Sequence, residues 1–361
     1  MDARTTWPAL LTALLNQEHL TADETAWAME EIMSGSATPA QIAAFATALR
    51  AKGETVAEVV GLARTMLDRA TPLRVEGPTV DIVGTGGDRA HTVNVSTMAS
   101  IVAAAAGARV IKHGSRAASS SCGAADVLEY LGIALDLPPE LTARTAVEAG
   151  IAFCFAPVYH PALRFAGPVR KEIGIPTFFN FIGPLTNPAR PSAQAIGVYD
   201  ARMLPVVAGV FAERSVSALV FRGDDGLDEL STATTSTVWV VRDGTAVQIS
   251  FDPLDVGVPR SEPDALRGGD VEFNARAVHD LVGGKTGPIR DAVLLNAAAA
   301  LVSLAPTTEP GLADPESGVS GEAFVAAMRS AYERVSEAVD SGRAAETLAR
   351  WVEISRSHKH S

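Results

Sequence analysis

Residues Thr79–Arg116 read TVDIVGTGGDRAHTVNVSTMASIVAAAAGARVIKHGSR. The run Val80–Val83 is apolar and β-prone, and it breaks into Gly84-Thr85-Gly86-Gly87-Asp88. A polar segment with Asn94, Ser96 and Thr97 then opens an alanine-rich run that ends at Gly107. A second short apolar run, Val110-Ile111, leads into Lys112-His113-Gly114. The pattern predicts strand, glycine loop, helix, strand. Each part suits an anion. Glycine lets main-chain N–H groups approach a ligand closely. A helix start offers unpaired N–H groups and the positive end of its dipole. Ser96 and Thr97 add hydroxyls there, and Lys112 adds a full positive charge. A phosphate or diphosphate is the expected ligand. The spacing matches neither G-x-G-x-x-G nor G-x-x-x-x-G-K-[ST], which disfavours a dinucleotide site and a Walker ATPase.

Working outward, the first 70 residues contain helical signals only. Leu10, Leu11, Leu14 and Leu15 form an apolar stripe. Thr21-x-x-Glu24, Thr38-x-x-Gln41 and Thr55-x-x-Glu58 are capping boxes, and Pro39 stands at a first helical position. Gly35 and Gly53 sit where helices should stop. The expectation is a small helical domain over 1–72. After 79 the pattern alternates: helix near 124–131, helix from Pro139 to about Ala149, buried strand Ile151–Phe155. Alternation of this kind predicts a mostly parallel sheet flanked by helices, in an α/β domain over 79–350.

The segment 159–190 is punctuated by prolines and glycines, with a helix expected near Arg164–Ile173. Leu163, Val169 and Ile173 are expected to pack back on the N-terminal helices, making the small domain discontinuous. Strand, helix and strand resume over 193–221. Asp243-Gly244 predicts a hairpin turn between Val238–Val241 and Ala246–Phe251. The remainder reads as helical, and the terminal Ser-His-Lys-His-Ser as a frayed polar tail.

At 361 residues and 47% hydrophobic content the chain can bury a large core. A net charge of −12 argues against nucleic-acid or anionic-membrane partners. It does not forbid an anionic substrate held by a local loop and a few cations. Cys122 and Cys154 form no metal pattern, and a disulfide framework is not expected. A reducing cytoplasm fits. No apolar run is long enough to span a bilayer, and the N-terminus does not read as a signal peptide.

The blocks DIVGTGGD, NVST and KHGSRAASS resemble the phosphoribosyl-diphosphate signatures of the anthranilate phosphoribosyltransferase family of tryptophan biosynthesis. His160-Pro161-Ala162, Val169–Glu172, Phe179–Pro188 and Leu227-Asp228-Glu229-Leu230 agree, in family order, across about 8–350. The resemblance implies transfer of phosphoribose from 5-phosphoribosyl 1-diphosphate to the amine of anthranilate. It implies sugar-diphosphate contacts at Gly84, Gly87, Asp88 and Thr92, then at Asn94, Val95, Ser96 and Thr97. A third group is Lys112, His113, Gly114, Ser115, Arg116, Ala117, Ala118, Ser119 and Ser120, with Ala124 beside it. Ser96, Asp228 and Glu229 resemble Mg2+ ligands, and Arg170 resembles the arginine that meets the anthranilate carboxylate. Gly84 and Ser115 border the same acceptor. A homodimer is implied.

By residue type alone, Asp228-Glu229 reads as a solvated acidic pair, and Arg170 as a surface arginine beside Glu172. Two departures stand out. Ser115 occupies the family's asparagine position, and Ala124 a position where serine is common. Both put acceptor affinity and identity in question. The related pyrimidine nucleoside phosphorylases share the helical-plus-α/β plan and are the second enzymatic reading. A phosphoribosyl-diphosphate-binding regulator is a third.

Overall fold

The computed structural model describes residues 5–117, 121–262, 264–305 and 320–359. Four helices come first: α1 (Trp7–Leu15), α2 (Ala22–Ser34), α3 (Pro39–Lys52) and α4 (Val56–Asp68). All three expected capping boxes form, with each threonine accepting the N3 amide and the Glu or Gln answering back. Each such cap contributes about 1 kcal/mol. Gly35 closes α2 at φ 78°, in the left-handed region that favours glycine. Gly61 lets α2 and α4 touch: a Cβ there would lie 2.0 Å from the Ala22 carbonyl oxygen. Glu58 is fully buried, and its Oε1 accepts the Leu20 amide while Oε2 accepts the Lys52 ammonium. No strand occurs among the described residues before β1.

The strands are β1 (Val80–Gly84), β2 (Val110–Gly114), β3 (Ile151–Phe155), β4 (Ala193–Gly197), β5 (Ser217–Gly223), β6 (Ser236–Arg242) and β7 (Thr245–Phe251). They form one sheet in the order β3-β2-β1-β4-β5-β6-β7. The first five positions in that order are parallel, and β6 and β7 are antiparallel additions. Asp243 (φ 48°) and Gly244 (φ 78°) make the tight β6–β7 turn that their sequence announces. The β1–β4 register runs the full length of both strands, as does β2–β3. Between β1 and β2 it is confined to Val80↔Val110. The chain leaves β1 toward β2 and β3, then returns to β4 on the other side, so β1 is the switch point where α/β sheets bind ligands.

Successive strand side chains point to opposite faces and feed two cores. Ala195, Leu219 and Phe221 join the core covered by α5 (Val95–Ala105) and by helices Pro288–Leu304, Gly321–Asp340 and Arg343–Lys359. Ile196, Val198 and Val220 join the other core, with α1–α4 and helix Leu204–Glu213. The expected helix near Arg164–Ile173 divides into a 3-10 turn, Pro161–Phe165, and an α-helix, Gly167–Ile173. Val169 is buried in the core of the N-terminal helices, with Leu163 and Ile173 packed against it.

The C-terminal segment departs from expectation. Helix Arg343–Lys359 continues to the end of the described residues. His358 is 6% exposed, and its ring meets Thr145 Oγ1 at 3.0 Å and Glu148 at 3.3 Å. Lys359 pairs with Asp136. Packing against helix Pro139–Ala149 fixes His358 within a tail whose composition alone reads as frayed; the last two residues of that tail lie outside the described residues.

Candidate active site

A cavity of about 420 Å³ opens at the C-terminal ends of β1 and β2, between the sheet and the 156–184 segment. Its sheet wall holds the glycine loop, the first turn of α5, Lys112–Ala117 and Asp228-Glu229; Arg170, Phe179, Asn180 and Pro184 face it. The cavity thus brings together the sequence-predicted residues Gly84, Gly87, Asp88, Thr92, Asn94, Val95, Ser96, Thr97, Lys112, His113, Gly114, Ser115, Arg116, Ala117, Ala124, Arg170, Asp228 and Glu229. Ala118, Ser119 and Ser120 lie outside the described residues.

Glycine is required in the loop for two reasons. Gly86 and Gly87 have φ of 65° and 95°. A Cβ on Gly84 would come within 2.2 Å of Asp228 Oδ2, and one on Gly87 within 2.9 Å of the Tyr199 ring. Close approach of the 227–229 loop therefore explains Gly84 without invoking a ligand. Arg89 and His91 also hold positive φ, 61° and 52°, uncommon for residues with side chains. Such backbone strain concentrates where function demands it.

Asp228 and Glu229 are 9% and 7% exposed, unlike the solvated pair that their composition suggests. Asp228 Oδ2 accepts the Gly86 amide at 2.6 Å. Desolvation first, and repulsion from Asp88 second, lift the Asp228 carboxyl to about 7. Burial and then Asp228 push Glu229 up, while Lys112 and the Ser96 amide pull it down. Carboxylates crowded in this way favour a proton or a cation. Among the described residues no group of three or more His, Cys, Asp or Glu is ready to hold a metal. The donor set nonetheless suits Mg2+, which binds through one or two carboxylates, substrate phosphates and waters.

Lys112 is 1% exposed and donates to the Ile82 carbonyl at 2.6 Å and to Ser96 Oγ at 3.2 Å. Burial lowers its basicity, and Asp81, Glu229 and Asp228 oppose that in turn. His113 donates from Nδ1 to the Gly183 carbonyl at 3.1 Å, which leaves Nε2 as an acceptor without a hydrogen-bond partner among the described residues. The His160 ring lies 5.1 Å from it and donates through Nε2 to the Thr186 carbonyl. Burial drives His113 down to about 3 and His160 down to about 4, so both rings are neutral at physiological pH.

Some expected contacts are committed elsewhere. The Asn94 amide donates to the Cys122 carbonyl and accepts from Asn274. Arg116 pairs with Asp126 and Glu129 on helix Ala124–Tyr130. The Val95 side chain belongs to the core. Arg170 is half-buried, its guanidinium stands 5.2 Å from the Phe179 ring centre, and among the described residues no carboxylate pairs with it. Burial lowers its basicity. It is not the surface partner of Glu172 that adjacency suggests. Ser115 is exposed at the cavity rim. Tyr199, which backs the glycine loop and stacks on Phe181 at 5.6 Å, carries no motif signal and escapes sequence reading.

Residues 8–70 match the helical bundle domain of the glycosyl transferase family, and residues 76–345 its a/b domain. The chain is 62% identical over 352 residues to the anthranilate phosphoribosyltransferase of Thermobifida fusca (strain YX), covering 98% of this chain and 97% of that protein. It is 58% identical to the enzyme of the same name from Salinispora arenicola (strain CNS-205), again over 98% and 97%. The crystal structure of anthranilate phosphoribosyltransferase from Thermus thermophilus superposes with a TM-score of 0.86 at 37% identity, covering 96% and 99% of the two chains. The Saccharomyces cerevisiae enzyme in complex with PRPP and Mg superposes at 0.84 with 25% identity, covering 98% and 99%. On this sequence identity over nearly its whole length, and on the matched pair of domains, the chain belongs to the anthranilate phosphoribosyltransferases.

Proposed function

We propose that this chain transfers the phosphoribosyl group of 5-phosphoribosyl 1-diphosphate to the amine of anthranilate, releasing diphosphate, as the second step of tryptophan biosynthesis from chorismate. One observation carries the reading: a single cavity has an anion loop, Lys112 and two buried carboxylates on one wall and the half-buried Arg170 on the other. An anionic sugar diphosphate fits the first wall, and an aromatic carboxylate the second.

In this reading the amine attacks the anomeric carbon, the bond to diphosphate breaks, and the amine releases a proton. Gly84, Gly87, Asp88, Thr92 and the 94–97 turn cradle the diphosphate with main-chain N–H groups and hydroxyls. Lys112 holds positive charge at the base of that wall. Asp228 and Glu229, with Ser96, would hold Mg2+, which when bound supplies charge neutralisation at the diphosphate. The chain's contribution is positioning and electrostatics. Arg170 orients the acceptor through a bidentate pair with its carboxylate. Ser115 and Gly84 border the ring. The neutral His113 acts as a hydrogen-bond acceptor through Nε2, and proton transfer is not assigned to it.

Part of the 159–190 segment, around Leu163, Val169 and Ile173, closes the acceptor side and packs with the N-terminal helices, so we assign that part to the helical domain over 1–72. Leu15, 75% exposed at the end of α1, belongs to the face we assign to a homodimer, testable by light scattering. The decisive assay supplies phosphoribosyl diphosphate, magnesium and a panel of aromatic amines, and follows diphosphate release alongside nucleoside phosphorolysis. Diphosphate release with anthranilate supports the reading. Turnover with another amine alone would retain the phosphoribosyltransferase and discard the acceptor. Phosphorolysis alone would replace both.

A further inference from the structure

Strands β1 and β2 part company after one residue pair, and their separation is filled by side chains. The Val80 amide bonds to the Arg109 carbonyl at 3.0 Å, and the register then stops. A continued parallel ladder would pair the Ile82 main chain with the Ile111 carbonyl and the His113 amide. Three of these groups, the Ile111 carbonyl, the His113 amide and the Ile82 carbonyl, are answered by side chains. The Ile111 carbonyl accepts Asn187 Nδ2 at 2.8 Å. The His113 amide donates to Asp81 Oδ1 at 3.1 Å. The Ile82 carbonyl accepts Lys112 Nζ at 2.6 Å.

Asp81 and Asn187 also bond to each other. Asn187 Nδ2 donates to Asp81 Oδ2 at 2.9 Å, and Asn187 Oδ1 accepts the Ala189 amide at 2.9 Å. Asp81 is 0% and Asn187 2% exposed, so neither can exchange these partners for water. Neither side chain lines the cavity. Asn187 lies at the end of the segment that carries Phe179, Gly183 and Pro184 into the acceptor wall, whereas Asp81 lies on the strand that carries the glycine loop.

We propose that Asp81 and Asn187 form a polar clasp that replaces the β1–β2 ladder, holds the crevice open and fixes the spacing between the diphosphate wall and the acceptor wall. They are positioning residues that act through His113, Lys112 and the 183–187 turn. Burial of a polar pair at this depth is stable only with its partners in place. The clasp therefore has a single low-energy geometry, and the walls inherit it. A misplacement of about 1 Å at reacting groups costs on the order of a hundredfold in rate. The inference rests on the two-wall reading of the cavity given above.

The test compares Asp81→Asn, Asn187→Asp and the double swap in the full-length chain. Asp81→Asn sets amide against amide, and Asn187→Asp sets carboxylate against carboxylate. The swap restores one donor to one acceptor. Each single variant should lose at least about tenfold in kcat, while both Michaelis constants move by less than roughly threefold, since each wall still binds its own ligand. The double swap should recover part of the loss. Wild-type kcat in a folded single variant, a loss confined to the Michaelis constants, or a swap no better than the worse single variant would overturn the clasp. Asn187→Ser, which keeps one hydroxyl donor, takes the place of Asn187→Asp if that chain does not fold. A readout without turnover separates the clasp from the proposed reaction. Nitrogen-15 NMR should show His113 protonated on Nδ1 in the wild type and lose that single tautomer in Asp81→Asn. An unchanged His113 signal in Asp81→Asn counts against the clasp even if the reaction is as proposed, and a wild type inactive with anthranilate counts against the reaction alone.

Discussion

The two walls of the cavity are built by different means. The diphosphate wall stands on the ends of parallel strands, where backbone position is set by full-length ladders on the β4 side and by buried polar side chains on the β2 side. Its ionisable groups are buried and crowded, with Lys112 among Asp81, Asp228 and Glu229. The acceptor wall stands on short helical pieces, Pro161–Phe165, Gly167–Ile173 and Phe178–Ile182, and offers one half-buried cation over an aromatic ring. A chemically invariant leaving group suits the first construction. The second can vary by single side chains, while Ser115 and Ala124, which depart from the expected family pattern, stand at the cavity on the sheet side.

The largest expected effect lies on the diphosphate wall. Asp228→Asn and Glu229→Gln should each lower kcat/KM by roughly a hundredfold or more, comparable with loss of one key electrostatic group, about 2.7–4 kcal/mol. Removing one of several mutually repelling buried carboxylates should leave the metal-free protein at least as resistant to heat. Near-normal turnover at low magnesium would remove that residue from the ligand set.

The histidine pair between the walls should show itself in acid. Both rings are held neutral in the folded chain, with values near 3 for His113 and 4 for His160 against an ordinary 6.5. The unfolded chain therefore binds more protons below about pH 6.5. Stability from this source is full above that pH and declines as pH falls toward 4, by about 1.4 kcal/mol per unit for each ring. His160→Gln should flatten the decline by up to about 3 kcal/mol at pH 4, measured by urea unfolding. An unchanged slope would mean that His160 is not a neutral buried ring.

On the acceptor wall, Arg170→Ala should raise the anthranilate Michaelis constant tenfold or more, since a hydrogen bond to a charged group is worth about 1.5–3 kcal/mol. Ser115→Asn should lower the same constant by up to roughly tenfold, the equivalent of about 1.4 kcal/mol. If Ser115→Asn instead weakened anthranilate and improved another amine, the physiological acceptor would be that amine.

The legible part of this molecule was local. Capping boxes, the leucine stripe, the Asp-Gly turn and the strand–loop–helix pattern are chemistry within a few residues, and they placed α2–α4, α1, the β6–β7 hairpin and the glycine loop in turn. What sequence reading missed depends on partners distant in the chain. Asp81 sits inside an apolar strand and looks like an interruption until Asn187 arrives 106 positions later. His358 looks like a tail residue until Thr145 receives it from 213 positions away. Asn94 and Arg116 carry the right motif, yet their side chains are engaged with Cys122, Asn274, Asp126 and Glu129. Motif spacing identifies which residues reach a site, and only packing decides which of their atoms remain available to a ligand.

The separation of the two walls is tested most directly by calorimetric titration of phosphoribosyl diphosphate, with magnesium and without acceptor, into the wild type, Arg170→Ala and Asp228→Asn. Expected is binding to the wild type and to Arg170→Ala within about threefold of each other, a difference under roughly 0.7 kcal/mol, and binding to Asp228→Asn weakened at least about tenfold. Loss of phosphoribosyl diphosphate binding in Arg170→Ala, or its full retention in Asp228→Asn, would contradict the assignment of the two walls.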